Sequence, residues 1–158
     1  MISRLIRDED MSKDMNKRGV TLMELIIVMA IIAIGAVLMV PNIGGWLPNY
    51  RLRGATRDIV STMRVAQMKA VSSNVQYQVT FNAGNTYVMQ RSTGGLLVDE
   101  GGTQLLPSGI TIPSNTFGGG IVVFNSNSTA SPGNMVLTNP KGGQKKITVS
   151  PTGRVRIE

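Results

Sequence analysis

A single carboxylate at the start of an apolar segment is the residue of this chain best placed to do chemistry. The run from Val20 to Val40 has 21 residues, of which only Thr21 and Glu24 are polar. As a helix with a rise of about 1.5 Å per residue, this run would be roughly 31 Å long, close to the thickness of the hydrocarbon core of a bilayer. The sequence therefore predicts a membrane-spanning helix over residues 20–40, with an acid near its first turn.

The flanks of this segment predict its orientation and its fate. Lys13, Lys17 and Arg18 precede it, and such cations favour a cytoplasmic N-terminus. Residues 38–42 are mostly bulky and offer no small-residue cleavage site of the kind that ends a secretory signal peptide. The segment is therefore expected to be retained, and a plain membrane anchor is its simplest interpretation.

Glu24 argues for more than a plain anchor. A carboxylate at the centre of a membrane helix costs about 2.5–3.5 kcal/mol, and less near an end, so an acid there is by default a functional hypothesis. If the chain is cut after Gly19, Val20 gains a free α-amine one helical turn before Glu24. The amine of the same or a neighbouring subunit would then neutralise the acid. The alternative is that Glu24 lies at the membrane interface and is simply solvated.

The motif Gly19–Leu25 (GVTLMEL), followed by an apolar helix, resembles the class III signal of type IV pilins and type II secretion pseudopilins. In that family an inner-membrane prepilin peptidase cuts after the glycine and N-methylates the new terminus. The resemblance implies cleavage after Gly19, methylation of Val20 and an assembly role for Glu24. Pro41 matches the proline that kinks the long helix of the family. Val20 departs from the pattern, because the family usually has Phe there.

The resemblance makes residues 1–19 a prepilin leader that is removed. At 19 residues this leader is long, and it carries four acids. Met11 and Met15 are alternative starts to Met1, and a start at Met15 would leave a compact basic leader. The mass of the unprocessed precursor distinguishes these starts.

Composition limits the chemistry that the mature chain can do. The chain contains no Cys and no His, so it has no disulfide, and a transition-metal site is not expected. The absence of Cys also argues against the C-terminal disulfide loop common in major pilins. Asp99 and Glu100 are adjacent and would point to opposite faces of a strand, which makes a poor acid–base pair. No nucleophile elbow or phosphate-binding loop is present. We therefore expect a protein that is not an enzyme and has no cofactor.

Residues after the apolar segment predict one small extracytoplasmic domain over residues 50–158. Apolar residues recur every three or four positions over Tyr50–Ser72, which predicts an amphipathic helix whose apolar face packs on a sheet. Its polar face carries Arg53, Arg57, Arg64 and Lys69. Prolines and glycines at 41–49 predict a hinge before this helix.

Beyond residue 73 the periodicity changes to the alternation of β-strands. We predict strands at Val75–Phe81, Thr86–Gln90, Leu96–Val98, Gly109–Ile112, Ile121–Phe124, Asn134–Thr138, Lys146–Ser150 and Val155–Ile157, and an exposed loop at Asn125–Asn134. A helix followed only by short antiparallel strands gives an α+β fold. With the resemblance, this becomes a pilin-like fold, in which the C-terminal half of a long hydrophobic helix packs on a small antiparallel sheet.

Three segments of the domain resemble the GspH/FimT branch of minor pilins and pseudopilins. They are the helix end 63–70 (MRVAQMKA) with the strand 75–81 that follows it, residues 106–112 (LPSGITI) and the C-terminal stretch 147–157 (ITVSPTGRVRI). The branch implies a minor subunit near a filament tip, with other pilins, prepilin peptidase and the inner-membrane assembly platform as partners. It also implies a single-pass protein of the bacterial inner membrane with a periplasmic domain. Sequence alone leaves open whether the filament is a type II secretion pseudopilus or a type IV pilus.

The C-terminus carries one sharp binding hypothesis. Arg154 and Arg156 would project from one face of a strand, with Lys145 and Lys146 nearby on the preceding hairpin. Paired guanidinium groups can clamp phosphates, and Gly153–Arg156 is similar to the arginine motif of DNA-uptake minor pilins. The net charge of +6 outside the leader is compatible with an anionic partner or with ordinary solubility. The alternative is an edge strand on which arginines discourage pairing.

Overall fold

The computed structural model describes residues 20–158, apart from the side chains of residues 38–43. The predicted leader with Gly19 lies outside the described residues, as does the side chain of Pro41. The chain divides into two compact units, Met1–Ile43 and Gly44–Glu158. Each unit is considered by itself.

One long helix, α1, runs from Leu22 to Ser73. The helix predicted at Tyr50–Ser72 is confirmed. Helical backbone continues through residues 41–49, and the hinge proposed there stays a prediction. In the part of the chain that the structure describes, no helix is both long and apolar enough to cross a membrane.

The rest of the described chain forms short strands and one turn of 3-10 helix at Gly118–Gly120. In chain order the strands are β1 (Tyr77–Asn82), β2 (Thr86–Thr93), β3 (Leu96–Asp99), β4 (Gln104–Leu105), β5 (Thr111–Asn115), β6 (Ile121–Phe124), β7 (Gly133–Thr138), β8 (Gln144–Val149) and β9 (Val155–Ile157). The first sheet has the order β3-β2-β1-β6, with β4 also paired to β2, and the second has the order β5-β7-β8-β9. All of these pairings are antiparallel. The predicted α+β class is therefore confirmed.

Several predicted strand boundaries need correction. The first strand begins at Tyr77 and not at Val75, the second continues beyond Gln90 to Thr93, and β8 spans Gln144–Val149 in place of the predicted Lys146–Ser150. The strand predicted at Gly109–Ile112 begins only at Thr111, because Gly109 has φ +84° and lies in a turn. The loop predicted at Asn125–Asn134 ends before Gly133, because Gly133 is the first residue of β7 and pairs with Val149 of the neighbouring strand β8. The two-residue strand β4 was missed, since so short a segment has no periodicity.

The core joins the second half of α1 to both sheets. The helix contributes a stripe of buried side chains, and the strands contribute inward-facing residues at alternate positions. The largest fully buried apolar side chains of this cluster are Ile59, Met63, Val79, Ile110, Val122, Phe124, Met135, Leu137, Ile147 and Val149. Because these residues form one cluster, the two sheets and the helix share a single hydrophobic core.

A buried asparagine ties the hairpin between β7 and β8 to the helix. The Asn139 side chain is 3% exposed and donates a hydrogen bond to Asn49 Oδ1 at 2.8 Å. Its own Oδ1 accepts from the backbone N–H groups of Lys141 and Gly143, at 3.0 and 2.8 Å. One side chain therefore closes the turn and attaches it to α1.

In the turn between β8 and β9, a glycine allows the second sheet to approach α1 closely. Gly153 has φ +75°, and a Cβ atom there would collide with the side chain of Gln67 on α1 and with the carbonyl oxygen of Ser128. Its N–H donates to the carbonyl of Ser150 at 2.9 Å. The close approach of this turn to α1 requires a residue without a side chain.

Candidate functional site

The N-terminal end of α1 has a defined cap. Thr21 immediately precedes the first helical residue, and its Oγ1 accepts a hydrogen bond from the backbone N–H of Glu24 at 3.2 Å. Thr and Glu at this spacing match the capping box, in which the threonine satisfies an otherwise unpaired N–H. The sequence argument assigned Glu24 only a charge-pairing role, although the T-x-x-E spacing also signals a helix start. Val20 lies one residue before this cap and is exposed.

The first sixteen residues of α1 carry apolar side chains that the described chain does not cover. Those most exposed among the large apolar ones include Leu22, Met23, Met29, Ile31, Ile34 and Val37. Contiguous exposed apolar surface of this kind marks an interaction with other proteins or with lipid. Glu24 lies in the first turn of this segment, where the positive end of the helix dipole favours a negative charge.

Arg156 lies in β9, and Arg154 directly precedes that strand. Arg156 pairs with Thr148 across β8 and β9, and the carbonyl of Arg154 accepts from the N–H of Ser150 at 3.0 Å. Both arginine side chains are exposed. Lys146 lies on the same face of β8 as Thr148, and its ammonium pairs with Glu158 at 3.3 Å. Lys146 is therefore partly neutralised by Glu158.

Lys145 does not join this face. Along β8 it alternates with Lys146 and shares its side with the buried residues Ile147 and Val149. The predicted cluster of four cations is therefore divided between two faces of the second sheet. The physical reason is the two-residue period of a strand, which sends adjacent lysines to opposite sides.

On its own side, Lys145 meets two arginines of α1. Arg53, Thr56, Arg57, Lys145 and Ile157 line a surface cavity of about 310 Å³, which we call the basic depression. The Thr56 hydroxyl is buried and donates a hydrogen bond to the Leu52 carbonyl at 2.7 Å. Its one proton is therefore not free to bind a ligand. From sequence, Arg53 and Arg57 are only two of the four cations on the polar face of the helix. The sequence shows that Arg53 and Arg57 are one helical turn apart, but it does not show that Lys145 of β8 lies opposite them.

A salt bridge joins the same helix to the loop after β3. The ammonium of Lys69 donates to the carboxylate of Glu100. Hydrogen bonding to Lys69 and to Tyr77 holds the pKa of Glu100 below its usual value. The hydrogen bond to Glu100 raises the pKa of Lys69. Both side chains are more than 30% exposed, so solvent screens the pair.

Among residues 20–158, no three His, Cys, Asp or Glu side chains are close enough together to hold a metal ion.

Solved structures that share this fold include a type IV minor pilin and a minor pseudopilin. The type IV minor pilin FimU of Pseudomonas aeruginosa superposes with a TM-score of 0.60 at 14% identity, over 70% of this chain and 90% of FimU. The minor pseudopilin EpsH from the type II secretion system of Vibrio cholerae superposes with a TM-score of 0.57 at 10% identity, over 68% of this chain and 96% of EpsH. The class that the fold and the N-terminal segment define is therefore the pilin-like proteins.

Sequence profiles specify the family. The profile described as type II transport protein GspH matches residues 55–153. The profile of the prokaryotic N-terminal methylation motif matches residues 14–40. No curated protein matches the sequence significantly. Because the first profile covers more than half of the chain, the protein belongs to the GspH family, and the predicted GspH/FimT-like branch is confirmed.

Proposed function

We propose that this protein is a minor structural subunit of a filament that is assembled from the bacterial inner membrane, and that it is not an enzyme. The observation that carries the proposal is the exposed apolar segment of α1 with Glu24 in its first turn. The domain over residues 44–158 has its own core, whereas this segment lacks a partner in the described chain. Lipid before assembly, and the equivalent segments of neighbouring subunits afterwards, would cover it.

Processing by prepilin peptidase after Gly19 is the first step of the proposed function. The match to the N-terminal methylation motif supports it. Removal of the leader would place a methylated amine on Val20, just before the Thr21 cap and near Glu24. Opposite charges in a low-dielectric environment attract strongly, so the amine of one subunit and the Glu24 carboxylate of another would select the correct assembly register.

The intact mass of the protein from membranes of a bacterium with a prepilin peptidase tests this step. We expect a chain that begins at N-methylated Val20. A mature protein that retains the residues before Gly19 would contradict the proposal and favour a plain membrane anchor.

The assembly role of Glu24 needs a separate experiment. We expect Glu24→Gln to be processed normally but to fall at least tenfold in the sheared filament fraction, because the amide cannot neutralise the amine. Asp58→Asn is the matched control, since Asp58 is an exposed acid of α1 within the domain. Equal incorporation of both variants would remove Glu24 from the mechanism.

The partners implied are other pilins or pseudopilins, the prepilin peptidase and the inner-membrane assembly platform. The GspH family and the fold shared with FimU and EpsH support assembly with other pilins. FimU belongs to a type IV pilus and EpsH to a type II secretion system, and the two superpositions are of similar quality. The choice between the two kinds of filament therefore depends on which system the protein copurifies with.

DNA binding is a separate hypothesis, which the comparisons do not support. It rests on the exposure of Arg154 and Arg156. A gel shift at low salt tests it, with both arginines changed to Ala. Equal retardation by the wild-type protein and the double variant would remove the hypothesis.

A further inference from the structure

The basic depression concentrates positive charge from two separate elements. Arg53 and Arg57 are one helical turn apart on α1, and Lys145 comes from β8. Like charges one turn apart destabilise a helix, and the third cation adds to the repulsion. The cost of such a like-charge pair is small, and a bound anion would offset that repulsion.

No such anion comes from the described part of the chain. The ion pairs found among residues 20–158 are Lys69 with Glu100 and Lys146 with Glu158. Neither pair includes a cation of the depression. The nearest acid in sequence to β9, Glu158, is held by Lys146 on the opposite face of the second sheet.

The depression has the features of a binding site and not only of a charged face. Lys145 is half-buried and lies on the same side of β8 as the core residues, so its position is set by the sheet. The two arginines project from a helix that is held by the core on its other side. Ile157 supplies an apolar wall, and the cavity volume of about 310 Å³ leaves room for an anionic group with a small organic substituent.

We propose that the basic depression binds a phosphate group. A guanidinium group donates two parallel N–H bonds to two oxygens of one phosphate, and the ammonium of a lysine adds a point charge. Three cations suit a doubly charged phosphate with several acceptor oxygens better than a single carboxylate. The phosphate can be free or can belong to a lipid headgroup, and the chemistry of recognition is the same for both. This site differs from the face of Arg154 and Arg156, and it does not depend on the proposed filament role.

Thermal unfolding of the full chain in a neutral detergent tests the proposal. Inorganic phosphate and, in a second series, glycerol 1-phosphate replace chloride at constant ionic strength. We expect a saturable rise of the unfolding temperature, since a ligand that binds only the folded state stabilises it. The apparent affinity should fall at least tenfold in Arg53→Gln/Arg57→Gln. It should be unchanged in Arg64→Gln/Arg91→Gln, which removes the same charge from exposed positions outside the depression.

Each outcome decides the proposal. Saturable binding that depends on Arg53 and Arg57 supports it, and a stronger effect of glycerol 1-phosphate identifies a headgroup as the source. A similar effect of both anions identifies free phosphate. Equal weakening in the two double variants, or no difference between phosphate and chloride, would overturn it. If Arg53→Gln/Arg57→Gln does not fold, the single variant Lys145→Gln gives the same test from the strand side.

Discussion

The two ends of α1 share one helix but have opposite relations to the rest of the chain. At Leu22 to Val37 the apolar side chains are exposed, and Ile27 retains 49% of its accessible surface. At Leu52 to Ala70 the apolar residues form a buried stripe, and Ile59 and Met63 are 0% exposed. The difference lies in what covers each end, because both ends are rich in apolar residues. The second end has two sheets of its own chain, and the first depends on partners from outside.

The largest expected effect comes from shortening one isoleucine at each end. We expect Ile59→Ala to lower the free energy of unfolding of the domain by about 2–5 kcal/mol, because it leaves a cavity in the core. Ile27→Ala should change it by less than about 0.5 kcal/mol, as for an exposed position. Denaturant unfolding of both variants in the same detergent measures the contrast. Similar losses would mean that the domain also depends on the first end of the helix.

The second-largest effect is expected in the turn between β8 and β9, where the second sheet meets α1. Gly153→Ala should destabilise the domain by about 2–4 kcal/mol, because the new methyl group meets Gln67 and Ser128 and the backbone has positive φ. Gly142→Ala is the control, with φ +79° but open space around it. It should cost only about 1 kcal/mol, through the backbone term alone. Unfolding midpoints that coincide would show that the turn can move away from the helix.

A smaller effect is expected where the β7–β8 turn meets the helix. Asn139→Ala removes the hydrogen bonds to Asn49, Lys141 and Gly143. The resulting loss of stability should be about 1–3 kcal/mol, because buried polar groups are left unpaired. Asn82→Ala, at an exposed strand end, should be close to neutral in the same thermal unfolding experiment. A neutral Asn139→Ala would mean that water replaces the amide.

The smallest effect is the pH dependence of the salt bridge between Lys69 and Glu100. The pKa of Glu100 is lowered in the folded state from 4.5, so its contribution is present above that value and is lost as the pH falls through the folded pKa. The raised pKa of Lys69 leaves its contribution complete below 10.5. We expect Glu100→Gln to lower stability by less than about 1 kcal/mol at pH 7. The difference from wild type should disappear in acid, and a difference that persists at pH 2 would assign the effect to another contact.

The comparison also explains which predictions from sequence succeeded. The helix at Tyr50–Ser72 and the strands at Ile121–Phe124 and Val155–Ile157 follow from local periodicity, and the structure has them. The T-x-x-E cap is equally local, although its role in starting the helix was overlooked. Lys145 shows the limit, since its neighbour in sequence faces the opposite side of the sheet and its neighbours in space are arginines about 90 residues earlier in the chain.

The sequence by itself determined the family, the α+β class and the segment that carries Val20 and Glu24, because motifs and periodicity are properties of neighbouring residues. Only the tertiary structure decided that Asn139 and Gly153 attach the second sheet to the helix and that Lys145 meets Arg53 and Arg57. Those relations depend on strand register and on packing between distant segments. Neither is encoded in the spacing of residues along a single segment.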